Sequence, residues 1–282
     1  MDTRRILIGI CSCERNAVKR KAVRDTWLTA LLDGVAAVFF VGNGVQVAEP
    51  NSICLAVPDD YEHLPLKVHS FYRRALDDFA FDYLFKCDDD TYVAADRLPE
   101  LIGDSTEFVG NCFVSTSGVA SGGAGYLMSR KIVQIIVDAT PPKTGAEDVW
   151  VSSVVKKAGA KMEASCRLRS DHSVWPTADN NIITAHWCVP DVMRTIHHCL
   201  RDTETNIVEM SFDATHSMWK GLIRLMNNGI FVGGADKPNG HYEWKDCGEF
   251  LILRWFHWPH DTLRRVPHGF ENEHLHLEQR LE

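Results

Sequence analysis

A chain of 282 residues, 45% hydrophobic and 24% charged, has the composition of an ordinary globular protein with room for one large domain or two modest ones. Its formal charge of −8 argues against a nucleic-acid binder, which needs a basic surface, but leaves open a nucleoside diphosphate held through a metal ion. No window of about 18 uncharged apolar residues marks a membrane span. The opening MDTRRILIGICSC lacks a small-residue cleavage pattern. A soluble, cytoplasmic chain is therefore expected. The nine cysteines are odd in number, with no CxxC pair, so buried free thiols in a reducing compartment are expected. A few disulfides stay open if the chain is secreted or luminal.

In chain order, RRILIGICSC reads as a buried first strand, because its apolar run is continuous rather than alternating. RNAVKRKAVRDTWLTALL has helical spacing, with Val18, Ala22, Val23, Leu28 and Leu31 near one face. GVAAVFFVGN and NSICLAV predict two further strands, LPLKVHSFYRRALDDF an amphipathic helix, and YLFKC a strand that stops at three aspartates. The alternation predicts a mostly parallel sheet covered by helices. EFVGNCFV and GGAGYLMS read as strands around a glycine-rich turn. TGAEDVWVSSVVKKAGA reads as a helix, with Thr144 and Glu147 as a capping box and Gly159 at its end. Beyond Pro190 the alternation stops, and short aromatic runs predict an antiparallel meander. A boundary is placed in the polar HHCLRDTETN, near 195–206, and the tail HGFENEHLHLEQRLE is read as frayed or loosely helical.

The chemistry concentrates at Asp88, Asp89 and Asp90. In open α/β sheets ligands bind beyond the carboxyl ends of strands, and a D-x-D there can share one Mg²⁺ or Mn²⁺ with a diphosphate. Three adjacent carboxylates repel one another unless a cation or water compensates them. A solvated acidic turn is the plain alternative. Haloacid-dehalogenase-type phosphatases also place D-x-D after an apolar strand, with the first Asp as nucleophile. Their pattern wants Thr or Val where Tyr92 stands, and it ends the first strand. Arg20 and Arg24, four apart on a helix after the first strand, can reach phosphates or line a solvated face. Asp148, in the first turn of its helix, is kept ionised by the helix dipole and suits a general base. His186 ends a short apolar run and would complete an Asp/His metal site, with His172 as a nearby alternative.

Together these segments resemble the β-1,3-galactosyltransferase and Fringe-like family of inverting glycosyltransferases. The matching residues are Arg20, Arg24, Thr26 and Trp27 in R-x-x-[VI]-R-x-T-W, and Lys86, Asp88, Asp89, Asp90 and Val93 in FKCDDDTYV. Gly122, Gly123 and Gly125 follow in GGAGYLMS, then Glu147, Asp148 and Val149 in EDVWV. DDYEHLPLKV is similar to the family's D-x-Y-x-N-L-T-x-K through Asp60, Tyr61, Leu64 and Lys67, with His63 and Pro65 replacing Asn and Thr. The likeness spans roughly residues 4–190. It implies an α/β, Rossmann-like GT-A domain, a UDP-sugar donor, Mn²⁺ or Mg²⁺ as cofactor and a glycan or glycoconjugate acceptor. By the same resemblance Asp88, Asp90 and His186 are metal ligands and Asp148 is the catalytic base. Arg20, Arg24, Asp88, Asp89, Gly123, Gly125 and Glu147 line the nucleotide-sugar site. The activity implied is transfer of galactose or an N-acetylhexosamine with inversion, in β-1,3 linkage. A catalytically silent carbohydrate-binding protein on the same scaffold is the alternative.

Two departures stand out. Ser152 replaces a frequent glycine. Animal members carry an N-terminal anchor and work in the Golgi lumen, so the resemblance implies a soluble, microbial relative, with the Golgi lumen as the alternative location if an anchor was removed. The expected domains are 1–200, catalytic, and 201–282, a small β-rich accessory domain. In the latter, Trp219, Tyr242, Trp244, Trp255 and Trp258 either stack on sugars or form the module's own core, the second being preferred. His257, His260 and His268 fit no metal template.

Overall fold

The computed structural model describes residues 4–43, 49–177, 180–201, 208–226, 230–233, 238–245, 249–256 and 258–280, without the side chains of 208, 209, 238, 241 and 243–245. The chain divides into two compact units, Met1–Ile196 and His197–Glu282.

The first unit is built from β1 (Ile6–Cys11), α1 (Ala17–Asp25), β2 (Val35–Val41), β3 (Ser52–Cys54), α2 (Leu64–Asp78) and β4 (Tyr83–Asp88). These are followed by β5 (Tyr92–Val93), β6 (Phe108–Gly110), α3 (Phe113–Ser117), β7 (Tyr126–Ser129), α4 (Arg130–Asp138), α5 (Glu147–Lys157), β8 (Met162–Ala164) and β9 (Thr184–Ala185). Seven strands form one sheet in the order β3-β2-β1-β4-β7-β6-β8, and β5 and β9 form a separate two-stranded ladder. A single sheet flanked by helices is the class of α/β fold that the resemblance implies. The four strands read from continuous apolar runs are parallel. The sheet is mixed rather than mostly parallel, because β7 runs antiparallel to both β4 and β6. Its reversal follows from the turn at Gly122–Gly125, which hands the chain back along β4. Register decides where the site lies: Cys11 is opposite both Phe40 and Asp88, so β1, β2 and β4 end level.

The core lies where α2, α4 and α5 meet the sheet, with Phe71, Tyr72, Ile132, Val133, Ile136, Val151 and Val155 fully buried. Phe40 and Phe71 stack at 4.1 Å between ring centres. Three local expectations fail. Phe113 and Val114 open a short helix instead of extending a strand. Thr144 caps nothing: α5 starts after Ala146 with no side-chain cap, because Glu147 turns inward. Val18 is 67% exposed on α1 whereas Arg20 is 1% exposed, the reverse of the hydropathy pattern. Gly159 does follow the end of α5, at φ +69°. Cys112 and Cys166 form a disulfide, against the expectation of free thiols throughout, whereas Cys11, Cys87 and Cys188 are buried free thiols and Cys13 and Cys199 are partly exposed ones.

A helix absent from the sequence reading, α6 (Pro190–Arg201), precedes the second unit's strands. Its buried residues Val192, Met193, Ile196 and Leu200 have helical spacing. The meander is β10 (Val208–His216), β11 (Lys220–Met226), β12 (Ile230–Val232), β13 (Pro238–Lys245), β14 (Phe250–Trp255), β15 (Asp261–Val266), β16 (Gly269–Glu271) and β17 (Leu275–Gln279). It closes into a barrel through the antiparallel pair β10 and β17. The tail is therefore strand rather than frayed helix: Leu275 and Leu277 alternate inward onto the cluster of Phe212, Leu225, Phe231 and Leu263. Trp219, Tyr242 and Trp255 pack against this core. Trp258 is 50% exposed. His257 and the Trp244 side chain lie outside the described residues. Among the described residues no helix is long and apolar enough to cross a membrane.

Candidate active site

The first motif is scaffold. Trp27, fully buried, donates its indole N–H to the Thr91 carbonyl (3.1 Å), fixing the chain just past the aspartates. Arg20 donates to Glu49 through Nε (2.8 Å) and Nη2 (3.0 Å), and to Ser12 Oγ and the carbonyls of Cys13 and Glu14. Arg24 pairs with Glu49 (2.8 Å) and the Pro50 carbonyl (3.0 Å). The side-chain bond from Arg20, against the cost of burial, holds the Glu49 carboxyl down to about 2. Lys67, buried on α2, joins Asp59 (2.7 Å) to the Ser12 carbonyl (2.5 Å). Two buried cations thus brace the loop after β1, against which the aspartates rest.

Each aspartate has a different environment. Asp88 ends β4 and accepts from the buried Lys86 ammonium (2.8 Å). Asp89 is 4% exposed and accepts from Ser12 Oγ (2.7 Å) and Asn16 Nδ2 (2.9 Å); burial pushes its carboxyl up despite these bonds. Asp90 faces Lys19 Nζ through Oδ2 (2.9 Å) and His186 Nε2 through Oδ1 (3.1 Å). Burial alone would raise Asp90, but His186 and Lys19 hold it at about 2. Carboxylate repulsion is therefore offset within the chain by two lysines.

The ladder of β5 on β9 delivers His186. Tyr92 pairs with Ala185 and Val93 with Thr184, and the Cys188 amide donates to the Asp90 carbonyl (2.8 Å). Ligand atoms of Asp88, Asp90 and His186 all lie within 4.8 Å of one another. Two carboxylate oxygens and an imidazole form a donor set that fits Mn²⁺ or Mg²⁺. The buried His186 Nδ1 has no hydrogen-bond partner, an orphaned polar atom of the kind a ligand satisfies. A Cβ at Gly123 would fall inside the imidazole, so only glycine leaves that ring its place. His172 meets the His186 carbonyl (3.3 Å), not the carboxylates.

Behind the aspartates a buried network runs to α5. Lys86 Nζ also donates to Glu147 Oε1 (2.5 Å) and to the Gly122 carbonyl (3.2 Å). Tyr126 OH donates to Glu147 Oε2 (2.9 Å), and Tyr72 OH lies 2.7 Å from Tyr126 OH. Burial would lower the Lys86 pKa, but Asp88 and Glu147 raise it well above the lysine range, so it is an ammonium. Asp148, half-buried beside Glu147, accepts from the Gly122 amide through Oδ2 (3.2 Å) and from the Val149 amide through Oδ1 (2.8 Å). Gly122 touches Asp148 while Gly123 abuts His186, so one glycine turn joins the two. Gly125, at φ +90°, gives the turn its left-handed corner.

The geometry thus gathers Asp88, Asp90, His186, Gly123 and Asp148. It turns Asp89, Glu147, Arg20 and Arg24 onto protein partners, where they hold the site's framework. Lys19, Ser12, Asn16 and Tyr126 were missed by sequence reasoning. Lys19 stands beside Arg20 in a basic run and carries no distinguishing local signal.

No family model matches the chain. A curated relative, the probable β-1,3-galactosyltransferase 13 of Arabidopsis thaliana, is 27% identical over 36% of this chain, which spans 37% of that relative's length. Among solved structures, the catalytic domain of Drosophila β1,4-galactosyltransferase 7 in complex with xylobiose is similar, with a TM-score of 0.43 and 14% identity over 82% of this chain and 93% of that one. Glucosyl-3-phosphoglycerate synthase of Mycobacterium tuberculosis, solved with Mn²⁺, UDP-glucose and phosphoglyceric acid, gives 0.41 and 13% over 73% and 84%. The glycosyltransferase GlyE of Streptococcus pneumoniae gives 0.41 and 10% over 67% and 56%.

Proposed function

We propose that the first unit is an inverting, metal-dependent glycosyltransferase that moves a hexose, galactose or an N-acetylhexosamine, from a UDP-sugar to a carbohydrate acceptor. The observation that carries this reading is the convergence of Asp88, Asp90 and His186 at level strand ends, beside a glycine turn that also holds Asp148. The β-1,3 linkage rests on the sequence resemblance and on the name of the Arabidopsis relative.

Asp88, Asp90 and His186 would hold Mn²⁺ or Mg²⁺, which when bound neutralises charge developing on a departing diphosphate. Asp148 acts as general base. Its two oxygens are oriented by the Gly122 and Val149 amides at the start of α5, and its carboxylate takes the proton of the acceptor hydroxyl. The acceptor oxygen forms its bond to the anomeric carbon while the bond from that carbon to the phosphate oxygen breaks, and UDP leaves on the opposite face. One displacement inverts the centre, so an α-linked donor yields a β-glycoside. The network through Lys86 fixes Asp88 against the helix that carries Asp148, which holds metal ligand and base in one frame.

Calorimetric titration with UDP, with and without Mn²⁺, tests the reading on wild type and Asp90→Ala. The expected result is Mn²⁺-dependent binding that the substitution abolishes. A wild-type chain that binds no UDP in either condition refutes the donor site. Binding without turnover of any UDP-hexose would favour the silent carbohydrate-binding alternative.

A further inference from the structure

Lys19 has no part in the resemblance or in the mechanism above. It lies in the first turn of α1 with its side chain 34% exposed. Its neighbours on the helix turn elsewhere, Arg20 to Glu49 and Lys21 to Asp25. Lys19 alone of the three reaches the aspartates, 2.9 Å from Asp90 Oδ2 and 3.7 Å from Asp89 Oδ1. With His186 on Oδ1, both oxygens of Asp90 are engaged.

The two lysines at the cluster differ in what they can do. Lys86 is buried and tied to Asp88, Glu147 and the Gly122 carbonyl, so moving it would strand buried carboxylates. Lys19 is partly solvated and contacts carboxylates only, on a four-carbon stem that reorients at little cost. A divalent cation on Asp90 would repel the ammonium beside it. A diphosphate arriving with that cation would offer the ammonium new acceptors at the same mouth.

We propose that Lys19 is an exchangeable counter-ion: it neutralises Asp90 while no divalent cation is held there, yields that carboxylate to the cation, and then donates to the diphosphate of the donor nucleotide. This rests on the donor-site reading above. It has two consequences of opposite sign. Without Lys19 the cation alone binds more tightly, because the ammonium no longer competes for Asp90 Oδ2. The nucleotide binds more weakly, because one ammonium contact is gone. A lysine that merely held Asp90 in position would weaken both.

The experiment is calorimetry on wild type, Lys19→Met, Lys19→Gln and the control Lys21→Gln. Mn²⁺ is titrated alone, then UDP at saturating Mn²⁺. The expected result is Mn²⁺ affinity roughly tenfold higher and UDP affinity roughly tenfold lower in both Lys19 variants, the scale of one partly solvated charge contact. Lys21→Gln should match wild type. If one Lys19 variant fails to fold, as judged by circular dichroism, the other decides. Mn²⁺ affinity unchanged or reduced, in a series whose wild type binds both ligands, overturns the counter-ion role and leaves the donor site standing. Tighter Mn²⁺ with unchanged UDP overturns the transfer to the diphosphate. A wild type that binds neither Mn²⁺ nor UDP overturns the donor site and this inference together.

Discussion

Replacing Lys86 by methionine removes the ammonium that joins the aspartates to α5 while keeping most of the side chain's volume. Lys86 and Glu147 are 2% and 4% exposed, and their charged atoms are 2.5 Å apart. Methionine would leave the Glu147 carboxylate buried with the Tyr126 hydroxyl and no counter-charge. Breaking a buried pair from one side costs about 3–5 kcal/mol. Burial already raises the Glu147 carboxyl, and removing Lys86 takes away the charge that opposes that rise. The sign follows: a carboxyl raised in the folded state favours folding only while protonated. The loss in Lys86→Met should therefore be largest at neutral and alkaline pH and shrink as pH falls toward the ordinary glutamate value. Lys86→Met/Glu147→Gln removes the stranded charge and keeps an acceptor for Tyr126, so it should recover most of the loss. Urea unfolding at pH 8 and pH 5 measures this through the midpoint at constant slope. A loss below about 1 kcal/mol in Lys86→Met, or a double variant no more stable than the single one, would refute the reasoning.

Three further outcomes follow from other contacts. Gly123→Ala places a methyl in the His186 ring without a disfavoured backbone angle, since Gly123 is not among the positive-φ glycines. It should weaken Mn²⁺ binding by about 10–100-fold with an unchanged circular dichroism spectrum. Asp148→Asn should keep UDP binding and lower turnover by about 10²–10⁴-fold, read as a fall in kcat. Glu49, held at about 2 against an ordinary 4.5, stabilises the fold above the ordinary value and loses that contribution as pH falls toward about 2. Glu49→Gln should accordingly flatten that part of the acid-unfolding curve.

The sheet was legible where one rule sufficed. Continuous apolar runs marked β1, β2 and β4, and the stop at Asp88 marked the carboxyl edge of the sheet. Reading failed where a side chain served a distant partner. Glu147 looked like half of a capping box because sequence spacing cannot show Lys86 across the sheet. Arg20 looked like a phosphate ligand because the pull of Glu49 is tertiary. The polar letters of HHCLR hid the helical spacing of Val192, Ile196 and Leu200. In the tail, charged residues outnumber the two leucines that fix its strand. Asp88, Asp90 and His186 could be picked out as residue types, but their convergence depends on the ladder of Tyr92 with Ala185, which no local pattern announces.

That ladder sets an order of events during synthesis. Nearly a hundred residues separate Asp90 from His186. At about 5–20 residues per second, the aspartates leave the ribosome roughly 5–20 s before the histidine does. Through that interval the nascent chain carries three adjacent acids, while Lys19 and Lys86, whose ammonium groups pair with Asp90 and Asp88 in the folded unit, have already been made. The order of synthesis therefore supplies Lys19 and Lys86 with or before the acids and the histidine last, so the counter-charges are in the chain when the acids are made, and the Asp88, Asp90 and His186 cluster assembles only once the first unit is nearly complete.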